Sequence, residues 1–233
     1  MNKVNVFPKP VLAIFLTIAI ALFISCNTKI KQEPRPPLWE DIQAFKKQDA
    51  ITFPPKNAIL FIGSSSFTLW TDVQDYFPGY TIINRGFGSS TLADQIRYAE
   101  DIIFPYQPKQ IVIYCGENDL AFSDTVTSAI VFDRFKTLFG MIREKFTDLP
   151  LVYISMKPSP SRRHLISMMR EGNQLIKDFL ALQTNTVYLD VHQLMLTANA
   201  EPMSDIFLED SLHMNAKGYA IWKQAITPHL LKD

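Results

Sequence analysis

A chain of 233 residues, 47% hydrophobic and 20% charged, carries enough apolar material for one folded domain plus a small appendage and is not generally disordered. Twenty-three basic residues balance twenty-three acidic ones, so no cationic surplus exists to neutralise phosphates, and no nucleic-acid partner is expected. Two cysteines, Cys26 and Cys115, are too few for a disulfide framework or a cysteine-rich metal site.

The first ten residues carry Lys3 and Lys9 and no acid, and Val11 to Ile24 follows as fourteen residues of which only Thr17 is polar. A helix needs roughly 20 residues to cross a hydrocarbon core of about 30 Å. The run is shorter than that and fits the apolar region of a secretory signal, about 7–15 residues behind a positive start. It stops at Leu22-Phe23-Ile24-Ser25-Cys26, which resembles a bacterial lipobox except that Phe23 stands where leucine is usual. The resemblance implies a signal peptide over residues 1–25, lipidation at Cys26, and export to the periplasmic or cell-surface side of a bacterial membrane. An ordinary signal peptide, or an uncleaved anchor with Cys26 incidental, is the alternative. Processing before Cys26 leaves 21 basic and 23 acidic residues, a net charge of −2, so acyl chains rather than a polybasic patch would hold the protein at the membrane. Residues 26–37, polar with Pro34, Pro36 and Pro37, read as a tether. A single folded domain is expected over 38–233.

Within that domain strands and helices alternate. Trp39, Ile42 and Phe45 at helical spacing predict a short helix, stopped by Pro54 and Pro55. Ala58 to Ile62 is a continuous apolar run meeting Gly63, the pattern of a strand buried on both faces. Thr81 to Asn84 is a second strand, and residues 91–104 carry Leu92, Ile96, Ala99 and Ile103 on one helical stripe. Gln110 to Cys115 is a third strand and 126–146 a long amphipathic helix. Leu151 to Ser155 is a fourth strand, followed by the loop Lys157-Pro158-Ser159-Pro160. A helix over 162–182, a fifth strand from Thr186 to Asp190 and a closing helix over 215–227 complete the series. Five short apolar strands separated by helices call for a five-stranded parallel sheet covered on both sides, a three-layer α/β/α sandwich.

Ligands of such sheets bind beyond the carboxyl ends of the strands, near the topological switch point. Three strands end there in glycine with small polar residues: Gly63-Ser64-Ser65-Ser66, Asn84-Arg85-Gly86 and Gly116-Glu117-Asn118-Asp119. Ester hydrolysis needs a nucleophile, a base, an orienting group and an oxyanion cradle, and a serine at a strand-to-helix turn is placed for the first role. Of four histidines, His213 is distinguished by Asp210 three residues earlier, a spacing that can bring a carboxylate to the imidazole. Each feature also has a structural explanation. The serines can cap a helix, Asn84-Arg85-Gly86 can be a turn, and Asn118 and Asp119 can cap a loop. Asp210 can be an N-cap beside an exposed imidazole. Glu117 is read as structural, Cys115 as a small buried hydrophobe, and His164, His192 and His229 as surface or packing residues. Phe87 is a candidate for lining the pocket.

In chain order these blocks resemble the SGNH/GDSL hydrolase superfamily. Ile59-Leu60-Phe61-Ile62-Gly63-Ser64-Ser65 resembles its first block, a strand leading into Gly-Asp-Ser, with Ser64 standing where aspartate is usual. Asn84-Arg85-Gly86, Gly116-Glu117-Asn118-Asp119 and Asp210-Ser211-Leu212-His213 resemble the second, third and last blocks. The resemblance implies a flavodoxin-like SGNH hydrolase fold with Ser65 as nucleophile, His213 as base and then acid, and Asp210 as its orienting carboxylate. It implies an oxyanion hole from the Ser65 amide, the Gly86 amide and the Asn118 side chain. It implies no cofactor and no metal. Ser64 or Ser66 as nucleophile remains the alternative register.

The function expected from these residues is a serine esterase acting through an acyl-enzyme on short-chain, chiefly acetyl, esters of small molecules or glycans. A lysophospholipase or thioesterase, or a non-catalytic glycan-binding module on the same fold, are the alternatives.

Overall fold

The computed structural model describes Met1 and residues 35–233. The expected signal segment, Cys26 and most of the tether therefore lie outside the described residues. The compact unit is Pro36–Asp233. Its first half runs α1 (Trp39–Ile51), β1 (Ile59–Gly63), α2 (Ser65–Thr68), α3 (Val73–Tyr76), β2 (Ile82–Gly86), α4 (Leu92–Arg97), α5 (Ala99–Ile102) and β3 (Gln110–Tyr114). The second half runs α6 (Glu117–Ala121), α7 (Ser128–Lys145), β4 (Leu151–Ile154), a 3-10 turn (Pro160–Leu165) leading into α8 (Ile166–Leu180), β5 (Thr186–Leu189), α9 (Val191–Leu194) and α10 (Ala216–Ile226).

The five strands form one parallel sheet in the order β2-β1-β3-β4-β5. The chain reverses direction across the sheet after β2, so the switch point lies between the carboxyl ends of β1 and β3. There Gly63 is in register with Gly86 on one side and Tyr114 on the other.

Period-two alternation splits the strand side chains between two apolar layers. Leu60, Ile62, Ile111, Ile113, Leu151 and Tyr153 pack with Ile42, Leu92, Ile102, Phe135, Leu138, Ile142, Met169 and Ile176 from α1, α4, α5, α7 and α8. Ile59, Phe61, Val112, Tyr114, Val152 and Ile154 face the other way, against Phe67, Trp70, Val191, Trp222 and Ile226. The α/β/α sandwich read from the strand pattern is the architecture observed.

Two local features fix the geometry of the carboxyl edge. Fully buried Trp222 of α10 meets Phe67 of α2 edge-on at 6.0 Å and Tyr114 of β3 at 4.7 Å, and Tyr219 Oη donates to the Ser66 carbonyl at 3.0 Å. Burying such rings contributes about 1.5–3 kcal/mol each, and here it locks the last helix to the turn that carries the serines. At the other edge, Arg85 is buried in β2. Its guanidinium donates to Asp49 of α1 and, at 2.6 Å, to Tyr106 Oη, and it lies over the Phe45 and Tyr106 rings at 5.1 and 5.0 Å. Asp49 also accepts from Tyr106 Oη.

Several expected boundaries shift. The helix read over 91–104 is two short helices, parted at Tyr98 (φ −105°, ψ 13°), whose hydroxyl donates to the Pro37 carbonyl at 2.5 Å. The helix read from 162 starts instead as the 3-10 turn, because Arg162 leaves helical backbone values (φ −112°, ψ 26°) before α8 begins. One-turn helices α2, α3, α6 and α9, not expected from apolar periodicity, fill the connections that follow the strands.

Candidate active site

β1 ends in a residue that only glycine allows. Gly63 has φ +148°, and a Cβ there would lie 1.9 Å from the Tyr114 carbonyl oxygen. β1 and β3 thus approach closely, and the Ser64 amide donates to that same carbonyl at 3.1 Å. The chain then turns at once into α2, with Ser64 as N-cap and Ser65 as the first helical residue. The Ser65 amide lies in the first turn, where no intrahelical acceptor exists. Of the three serines, Ser64 and Ser66 are buried and Ser65 is part-exposed.

The Ser65 hydroxyl meets an imidazole. His213 Nε2 lies 3.0 Å from Ser65 Oγ, and His213 Nδ1 lies 2.6 Å from Asp210 Oδ2. Asp210 uses its other oxygen to accept from the backbone amides of Leu212 and His213, both at 2.9 Å. Ser211 adopts φ +56° within this turn, and the Leu208 amide donates to the His213 carbonyl at 2.8 Å. A carboxylate at Nδ1 places the proton on that nitrogen and leaves Nε2 as acceptor for the Ser65 hydroxyl. The slight burial of Asp210 works against its charge, but the hydrogen bonds from the His213 amide and ring outweigh it and lower its pKa to about 2.

Asn118 occupies the first turn of α6, buried beside the serines. Its Nδ2 donates to Ser64 Oγ at 2.7 Å and to the Ser90 carbonyl at 3.0 Å. Its Oδ1 accepts from Arg162 Nη2 at 2.7 Å. Arg162 Nη1 also lies 3.4 Å from Glu117 Oε1, and Lys157 Nζ reaches the two Glu117 oxygens at 3.1 and 3.3 Å. Burial pushes the Glu117 carboxyl up, yet the Lys157 and Arg162 charges prevail and hold it below its ordinary range. Burial also draws the Lys157 ammonium down, with Glu117 offsetting part of the effect.

The Gly86 amide, expected in the oxyanion hole, donates at rest to Asn84 Oδ1 at 2.9 Å, as Asn118 Nδ2 donates at rest to Ser64 Oγ. Glycine is required there for another reason: a Cβ would lie 2.5 Å from Phe67 Cβ and 2.9 Å from the Thr68 amide nitrogen. Gly86 lets β2 lie flush against α2. Phe87 does not line the site; it is buried in the core, edge-on to Tyr98 at 6.1 Å.

The remaining candidates fall outside the site. Asp119 is buried and accepts from the Leu92 amide at 2.8 Å and Arg134 Nη1 at 2.7 Å. Cys115 is buried, and desolvation pushes its thiol well up. His192 is buried with Nδ1 3.0 Å from the Met156 carbonyl, beside a surface cavity also lined by Arg170, Lys177 and Asp190. His164 is exposed, and His229 lies in a 3-10 turn near the carboxyl terminus. Among the described residues no group of three or more His, Cys, Asp or Glu could hold a metal ion. Residues missed by sequence reasoning are Ser64 and Ser90 as acceptors for Asn118, and Arg162 and Lys157, whose partners lie 44 and 40 positions away.

A hydroxyl hydrogen-bonded to a carboxylate-oriented imidazole, beside a helix-start amide and an anchored carboxamide, can attack an acyl carbon and stabilise the resulting oxyanion. The sequence profile of the GDSL-like lipase/acylhydrolase family matches residues 61–221, which contain all of these groups. Among solved structures, a GDSL-like lipase from Bacteroides thetaiotaomicron superposes with TM-score 0.68 at 17% identity, over 80% of this chain and 95% of its own. A Bacteroides fragilis protein inferred to be an acylhydrolase gives 0.71 at 18% identity, over 84% and 97%. An acetyl-xylooligosaccharide esterase variant from Geobacillus gives 0.60 at 15%, over 76% and 94%. At these identities the superpositions speak for the fold. Among curated protein sequences no match is found. On the profile match, the chain belongs to the GDSL-like lipase/acylhydrolase family, hydrolases of ester bonds.

Proposed function

We propose that the protein is a serine esterase that removes short acyl groups, acetyl foremost, from small-molecule or glycan alcohols. The observation that carries this is the unbroken series Asp210–His213–Ser65, at 2.6 and 3.0 Å, on the carboxyl edge of the sheet. Ser65 Oγ attacks the ester carbonyl carbon while its proton passes to His213 Nε2. The oxyanion accepts from the Ser65 amide and from Asn118 Nδ2, the latter redirecting the hydrogen that Ser64 Oγ accepts at rest. The carbon–oxygen bond to the alcohol breaks as Nε2 returns the proton to the leaving oxygen. Water, deprotonated by the same nitrogen, then attacks the acyl-Ser65 carbon; the carbon–Oγ bond breaks as Nε2 returns that proton to Ser65 Oγ, and the carboxylic acid leaves. Asp210 remains ionised and holds the imidazole through both halves.

Two features support a short acyl group. The connections after β1 and β3 open with the one-turn helices α2 and α6 rather than with long insertions that shelter a chain. The fold is also shared with an acetyl-xylooligosaccharide esterase. Attachment of the exported protein to a membrane through lipidated Cys26 belongs to the same proposal, supported by the apolar run that stops at that cysteine.

The test is hydrolysis of p-nitrophenyl esters of two to twelve carbons, with acetylated xylo-oligosaccharides alongside. Highest kcat/KM at two to four carbons with acetate release from the oligosaccharide agrees with the proposal. A maximum beyond about eight carbons points to a lipolytic enzyme instead.

A further inference from the structure

The carboxamide of Asn118 is held at three points, each with a different consequence. Ser90 O and Ser64 Oγ accept from Nδ2, while Arg162 Nη2 donates to Oδ1 at 2.7 Å. With the guanidinium in place, reversing the amide would set NH2 against a cation and Oδ1 against the Ser90 carbonyl, so Nδ2 can face only the serines. A charged donor on Oδ1 also draws electron density from the amide and strengthens its N–H groups as donors.

The guanidinium is itself built into the interior. Arg162 is 9% exposed, Lys157 is 0% exposed, and the carboxylate they share is Glu117. The guanidinium places a positive charge 2.7 Å from Asn118 Oδ1. In a low-dielectric interior such a charge favours a developing oxyanion nearby. The segment that delivers Arg162 begins Lys157-Pro158-Ser159-Pro160, with Lys157 and Ser159 fully buried. The Ser161 amide donates to the Ser211 carbonyl at 3.1 Å, inside the Asp210–His213 turn. One short stretch of chain thus braces both the asparagine and the turn that carries the imidazole.

We propose that Arg162 is a positioning residue for ester hydrolysis, acting through the Asn118 carboxamide, which it orients and polarises toward the oxyanion. It rests on the assignment of Asn118 as an oxyanion donor. Arg162 touches no reacting atom, so its removal should leave substrate binding intact and slow only the chemical steps.

The experiment is a double-mutant cycle on p-nitrophenyl acetate hydrolysis, with kcat and KM measured for wild type, Asn118→Ala, Arg162→Gln and the double variant. Asn118→Ala should lower kcat on the order of 10²–10³-fold. Arg162→Gln should lower kcat about 10–100-fold with KM within about threefold. In the Asn118→Ala background, Arg162→Gln should cost less than about threefold, because the group it acts through is gone. Arg162→Lys keeps the charge but loses the planar fork, and should fall between wild type and Arg162→Gln. It also carries the cycle if Arg162→Gln does not fold. Equal fold-losses from Arg162 substitution in both backgrounds would overturn the positioning role while leaving Asn118 as an oxyanion donor. Full activity in Asn118→Ala would instead overturn the oxyanion assignment itself.

Discussion

Ser65 Oγ and His213 Nε2, 148 positions apart in the chain, lie 3.0 Å from one another. The distance is set from both sides. Gly63 turns the chain into α2 with Ser65 at its start, and the aromatic seam of Phe67, Tyr114 and Trp222 holds α10, just beyond His213, against that turn. Ser64, whose hydroxyl accepts from Asn118, and Ser66 are both buried, which leaves Ser65 as the serine facing the imidazole.

The Asp210–His213 pair predicts a specific pH behaviour. The Asp210 carboxyl is depressed below its ordinary 3.8 to about 2, so its contribution is present above the unfolded value and lost only as pH falls through about 2. The carboxylate therefore persists throughout the range in which imidazoles titrate. Loss of the Asp210 charge should not limit kcat/KM until the pH approaches about 2. Asp210→Asn should lower kcat by about 10²–10⁴-fold at every pH, since the ring loses the group that fixes its tautomer. A pH–rate profile of both proteins checks this; wild-type rates in Asp210→Asn would contradict it.

Gly86 gives a second prediction. A methyl group there meets Phe67 Cβ at 2.5 Å and the Thr68 backbone at 2.9 Å, both on α2. Gly86→Ala should destabilise the protein by about 1–3 kcal/mol in urea unfolding and lower kcat, because α2 must shift with Ser65 on it. Wild-type unfolding and wild-type kcat in Gly86→Ala would contradict it.

The buried ionic cluster yields a third. Glu117→Ala leaves Lys157 and Arg162 without their carboxylate in the interior, and should cost about 3–5 kcal/mol. The double variant Glu117→Ala with Lys157→Met removes the Lys157 charge as well, leaves only Arg162 without its carboxylate, and should recover part of that loss. Chemical denaturation of both single variants and the double variant measures it, and additive losses would show that the buried pair is uncoupled.

How much of this was legible in the sequence follows from the range of the interactions. β1, β3 and β4 show as apolar runs because both their faces are buried, and Asp210–His213 shows because its partners sit three residues apart in one turn. The serine run after Gly63 stands out at its strand end, and the resemblance to the family's first block singles out Ser65 within it. The break at Tyr98 was not legible, since the apolar stripe of Leu92, Ile96, Ala99 and Ile103 continues through it. The anchoring of Asn118 was hidden for the same reason: Arg162 and Lys157 read locally as the end of a proline-rich loop. Gly86 shows a different case: the resemblance assigns a role to its amide, whereas its close packing against α2 depends on a contact 19 positions away in the chain and shows only in the structure.

The central claim is tested most directly by reacting the purified protein with a fluorophosphonate and mapping the modified peptide by mass spectrometry. A single adduct on Ser65, lost in Ser65→Ala and strongly slowed in His213→Ala, is the result predicted. An adduct on Ser64 or Ser66, or no adduct on a folded protein, would contradict it.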